Sequence, residues 1–145
     1  MDRGRQGVTP VVVDASALIA WLLNDSPATA ALVEDAIVRR ADAPLIGPVL
    51  LRAEVANALS VAVRRARLTL AQAQQAAAFG DGLPIELDPQ AADVSALLMA
   101  ANTHGLTAYD AIYLQLAVAR GADLLTADTA LADAARRAGV VVRGD

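Results

Sequence analysis

Four carboxylates stand in four distinct settings: Asp14 in VVVDASALIAW, Glu54 in LLRAEVANAL, Asp110 in LTAYDAIYLQLA and Asp128 in LLTADTALADAA. Brought to one place, these groups would repel one another and raise their own pKa values unless a cation neutralised them. The chain has no cysteine and a single histidine, His104, so the ligands left are oxygens. An all-oxygen set points to Mg2+ or Mn2+ over zinc. A cation held this way can bind a phosphate oxygen and lower the pKa of an attacking water, and that is the chemistry of phosphodiester hydrolysis.

Whether the acids meet depends on the elements that carry them. Apolar strand-like runs occur at Thr9–Val13, Ala43–Gly47, Pro84–Leu87, Asp123–Thr126 and Gly139–Val142, with helical patterns between them. SPATAALVEDAIVRR opens with Ser26 and Pro27 in N-cap and first-turn positions, and PVLLRAEVANALSVAVRR repeats apolar residues at three and four. Short, nearly all-apolar strands alternating with helices predict an α/β fold: three layers, α/β/α, around a central, mostly parallel five-stranded sheet. In such a sheet helix starts and strand ends share one edge, where ligands of open α/β folds bind.

Asp14 ends the first strand, Asp128 follows the fourth, and Asp110 lies in the first turn of a helix starting near Thr107. All three are expected at that edge. Glu54 sits about two turns into the helix after Pro48, on the stripe containing Leu50, Leu51, Ala58 and Leu59. A carboxylate on an apolar stripe is costly unless something charged meets it.

A simpler reading stands beside this one. Asp14 and Asp128 are ordinary N-cap candidates, and TAYD at 107–110 matches a capping box with Asp110 as the reaching acid. Glu54 has no such explanation. His104 before Gly105 reads as helix-end chemistry, Asp88 before Pro89 as a cap, and Asp133 as solvent-facing. Trp21 reads as core, and the Arg64, Arg65 and Arg67 cluster as a solvated helix end.

Composition narrows the classes further. A chain of 145 residues, 56% hydrophobic, is expected to form one domain over 8–145, with a loose polar extension over 1–7. No run approaches the roughly 18 to 20 apolar residues of a membrane span, MDRGRQG lacks the apolar run of a secretory signal, and the absence of cysteine fits a cytoplasmic location. The net charge of -4 argues against broad capture of nucleic acid by charge alone. All 12 basic residues are arginine, so a P-loop lysine and Schiff-base chemistry are excluded. A haloacid-dehalogenase-type phosphatase wants a second acid where Ser16 stands, and a receiver domain wants a lysine. A dinucleotide binder wants a glycine fingerprint after the first strand, which is missing here.

Taken in order, the four quoted blocks resemble the PIN-domain nucleases, and in particular the VapC toxins of bacterial toxin-antitoxin pairs; the likeness spans nearly the whole chain from Val11. It implies that Asp14, Glu54, Asp110 and Asp128 form a metal-binding catalytic site for Mg2+ or Mn2+. Ser16 and Thr126 match small hydroxyl positions that orient a carboxylate or a bound water, and Asn57 matches a polar position one turn after Glu54. The resemblance further implies a homodimeric ribonuclease that cuts RNA and is inhibited by a small cognate antitoxin. The alternatives are a housekeeping RNA-processing nuclease of the same family and a non-catalytic binding module.

Overall fold

The computed structural model describes residues 9–89 and 92–144. The expected extension over 1–7 lies outside the described residues. Four strands, β1 (Val11–Val13), β2 (Leu45–Pro48), β3 (Ile85–Asp88) and β4 (Asp123–Leu125), form one sheet in the order β3-β2-β1-β4. Every pairing is parallel, with Val11 opposite both Leu45 and Asp123. β1 therefore lies inside the sheet, and its three valines are fully buried. A strand covered on both faces has no polar side to present, which is why it reads as an unbroken apolar run.

Helices α1 (Ala15–Leu23) and α2 (Pro27–Val38) connect β1 to β2; α3 (Leu50–Arg64) and α4 (Leu70–Asp81) connect β2 to β3. α5 (Val94–His104) and α6 (Ala108–Arg120) lead from β3 back to β4, and α7 (Thr129–Arg137) follows it. Two steps run one way across the sheet and the third reverses, so right-handed crossovers put α5 and α6 on the opposite face from α1 to α4. The packing agrees: α1 meets α2, α3 and α4, whereas α6 packs on β1, β2 and β4 and against α5 and α7. The reversal makes the carboxyl ends of β1 and β4 the switch point, the place where such sheets bind ligands.

The fifth strand expected at Gly139–Val142 does not form among the described residues. Gly139 turns the chain at φ 81, and the Val140 amide is committed to the Ala135 carbonyl at the end of α7. What remains is one parallel bridge between Val142 and Leu124. Bonds from Leu124 N–H to the Val141 carbonyl and from Arg143 N–H to the Leu124 carbonyl support it, and Arg143 pairs with Asp123 at 2.6 Å. The other strands lie within one or two residues of their expected positions, and the helices start on the expected caps at Ser26 and Thr107.

Gly121 ends α6 at φ 58 and sends the chain into β4, with open space where a Cβ would stand. Gly121→Ala therefore carries only the left-handed backbone cost of about 1 kcal/mol, which should lower the melting temperature by about 3 °C. A scanning melt that shows no loss would mean that this turn is not held as described.

Candidate active site

Asp14 is 3% exposed, the one buried charged residue among those described. Its place follows from chain order: β1 ends at Val13, the Asp14 amide still pairs with the Leu125 carbonyl, and the side chain then caps α1 by accepting from Ala17 N–H at 2.9 Å. Two hydroxyls complete its shell. Ser16 donates to Oδ1 at 2.7 Å and Thr126 donates to Oδ2 at 2.6 Å. Each hydroxyl is itself oriented by an amide of the β4–α7 turn, Ser16 by Ala127 and Thr126 by Asp128, both at 2.9 Å. Asp14 is thus clamped between the β1–α1 and β4–α7 turns. Burial raises its pKa, the three donated hydrogen bonds oppose that rise, and the charge of Asp128 adds to it.

Asp128 caps α7, accepting from Ala130 N–H at 2.9 Å and Leu131 N–H at 3.3 Å. Asp110 stands at the third position of α6. Its amide bonds to Thr107 Oγ1 at 3.1 Å, but only this half of the expected capping box is made; the Asp110 carboxylate turns instead toward the other acids. Its pKa is pushed up to about 6, first by burial, then by the charge of Asp128 and a hydrogen bond with it, and then by the charges of Asp14 and Glu54. Asp110 therefore feels each of the other three acids through space.

Glu54 lies at the margin of the buried stripe of α3, which is Leu51, Val55, Leu59 and Ala62. No arginine among the described residues pairs with it. A neutral donor meets it: the Tyr113 hydroxyl gives Glu54 Oε1 a hydrogen bond of 2.6 Å. Tyr113 is 1% exposed, and burial followed by the Glu54 bond pushes its pKa well above the usual range. The sequence carried a signal for it, since Tyr113 is one turn beyond Asp110 on the same helix face and a buried phenol needs a partner. Asn57 is exposed on α3, and no hydrogen bond among the described residues ties it to the four acids.

The remaining candidates take structural roles. His104 closes α5 before Gly105, and Asp133 pairs with Arg136 at 2.9 Å on the surface. Asp88 ends β3 and pairs with Arg120 at 3.2 Å, and Asp93 caps α5. Trp21 is half-buried, packed against the core with its indole N–H on Glu34 Oε2 at 2.8 Å. Arg67 reaches Asp25 at 3.4 Å and Arg64 reaches Ser60 at 2.7 Å, as suits a solvated helix end.

Among the described residues no three acidic, histidine or cysteine side chains stand together as a preformed metal cage. The donor set nonetheless fits a divalent cation by its chemistry. Three carboxylates raise the pKa of a fourth, and no described arginine or lysine pairs with any of them, so the cluster is short of positive charge. None of the described helices is long and apolar enough to cross a membrane.

A family model described as PIN domain matches residues 11–137. Among solved structures, the crystal structure of PAE2754 from Pyrobaculum aerophilum is similar: 27% identity over 92% of this chain and 89% of that one, with a TM-score of 0.68. No curated protein matches the chain.

Proposed function

The chain belongs to the PIN-domain family, a family of nucleases, and from that premise we propose that it is a Mg2+- or Mn2+-dependent endoribonuclease acting as the toxin of a toxin-antitoxin pair. The observation that carries the reading is the gathering of Asp14, Glu54 and Asp128 around Asp110 beside the carboxyl ends of β1 and β4, where burial and like charge push Asp110 up to about 6. These four carboxylates would hold the cation, with Ser16 and Thr126 fixing Asp14. A divalent cation supplies there the Lewis acidity that phosphodiester hydrolysis needs.

The residues contribute the rest. Asp14 enters the reaction pre-oriented, because both its oxygens are already held by hydroxyls. Asp110 and Asp128 stand within hydrogen-bond reach of each other, which would put a carboxylate at hand to take a proton from an attacking water. The acidic surround repels the phosphate backbone unless it is neutralised, so binding of RNA and of cation should be mutually dependent.

The toxin reading adds two partners. A second copy would find an apolar face on α5 and α6, where Val94, Leu98, Met99 and Val118 are exposed. An antitoxin would silence the site most directly by presenting arginine, whose planar fork pairs with carboxylates bidentately.

The test is incubation of the purified chain with mixed cellular RNA and Mn2+, with and without a chelator. Discrete cleavage products that vanish with chelator are expected; chelator-resistant cleavage or none would defeat the metal-nuclease reading. Expression of the chain alone should halt growth, and co-expression of a small reading frame encoded beside it should restore growth. Unimpaired growth during active expression points instead to a housekeeping nuclease.

A further inference from the structure

Tyr113 is the largest of the fully buried side chains, yet its volume alone could be supplied by phenylalanine. Its hydroxyl must have another use. It donates to Glu54 Oε1 at 2.6 Å, a bond that ties α6 to α3. Tyr113 lies one turn beyond Asp110, so the tie anchors Glu54 to the helix that carries one of its neighbouring acids.

A carboxylate on a mid-helix side chain with several rotatable bonds would otherwise swing toward solvent, away from three like charges. We propose that Tyr113 is a positioning residue of the metal site: its hydroxyl holds Oε1 of Glu54 against electrostatic repulsion, leaving Oε2 as the oxygen Glu54 offers to the cation. The proposal rests on the metal-dependent nuclease reading. Partners that orient metal ligands contribute about 10- to 100-fold to metal affinity, and Tyr113 belongs to that class.

Tyr113→Phe keeps the ring and removes the hydroxyl. By titration calorimetry with Mn2+ alone, the variant should bind at least about tenfold more weakly than the unsubstituted chain. In excess Mn2+ its KM for RNA and its rate should match those of the unsubstituted chain, and the losses should appear only as Mn2+ is lowered. Equal Mn2+ affinity in the two proteins overturns the proposal, whatever happens to the melting temperature, and leaves the nuclease reading intact. Failure of the unsubstituted chain to bind Mn2+ or cut RNA defeats that reading and this proposal together.

Should Tyr113→Phe not fold, Tyr109→Phe provides a second measurement, because it leaves Tyr113 as the one tyrosine in the chain. Mg2+ binding to Glu54 must weaken the charge that the Tyr113 phenol faces. A tyrosine ultraviolet difference spectrum that saturates with Mg2+ is therefore expected. A spectrum unmoved by Mg2+ at concentrations that support RNA cleavage overturns the positioning role.

Discussion

Glu54→Gln or Asp110→Asn should lower Mn2+-dependent RNA cleavage by at least about 100-fold while leaving the circular dichroism spectrum unchanged. The magnitude follows from a comparison: residues that only orient metal ligands cost about 10- to 100-fold when removed, so a ligand itself should cost no less. Asp14→Asn and Asp128→Asn should match them, since asparagine caps a helix as well as aspartate and the fold keeps its helix starts. Asp14→Asn differs in one respect. Thr126 now gives its proton to Oδ2, so an amide nitrogen there would face a donor and force that hydroxyl to rotate. Any of the four variants that folds and cleaves at the unsubstituted rate removes its residue from the site.

Without metal, the same chemistry should make the site a weak point of the fold. Asp110 has a folded pKa of about 6, above the roughly 3.9 of an unfolded aspartate, so its ionised form opposes folding. A carboxyl raised in this direction destabilises most above the folded pKa, and the penalty lifts as pH falls through it. The metal-free chain should therefore gain thermal stability between pH 7.5 and about 5.5, with Asp14, also raised, contributing in the same sense. Asp110→Asn should remove much of that pH dependence. At pH 7.5 it should raise the melting temperature by about 3 °C, corresponding to about 1 kcal/mol once the partial exposure of Asp110 is discounted.

Mn2+ should stabilise the unsubstituted chain by about 2.7 kcal/mol at a hundred times its dissociation constant, and should do little for Asp110→Asn. Scanning melts with and without Mn2+ separate the two effects. An equal Mn2+ gain in both proteins would place the ion elsewhere, and a drop in the metal-free melting temperature of Asp110→Asn would contradict the repulsion.

The parts of this molecule governed by local rules were legible in the sequence. The buried valines of β1, the caps at Ser26 and Thr107 and the alternation of strand and helix each leave a pattern within a few residues. Gly139–Val142 misled because an apolar run of strand length looks the same whether its amides serve a sheet or close a helix; here the Val140 amide serves Ala135. For Tyr113 the local signal, one turn beyond Asp110, could be read but its partner could not. In AYDAIYLQLAVAR the residue fits the core stripe, and its bond to Glu54 spans 59 positions, beyond any local pattern. The acids at 14 and 128 were readable either as caps or as site residues; the structure shows each capping a helix while standing near Asp110.

That double use bears on how relatives of this chain should be sorted into working and silent enzymes. A relative that had lost its chemistry would still gain about 1 kcal/mol from a capping side chain at each of positions 14 and 128, so drift there would favour Asp, Asn, Ser or Thr regardless of activity. Glu54 caps nothing, and Asp110 supplies its amide rather than its carboxylate to the cap at Thr107. Selection for folding alone has little use for either carboxylate, and by its repulsion Asp110 works against the fold. Acids retained at 54 and 110, with tyrosine at 113, would therefore mark a working nuclease far better than acids at 14 and 128, and a relative keeping only the latter pair should be assayed before it is called an enzyme.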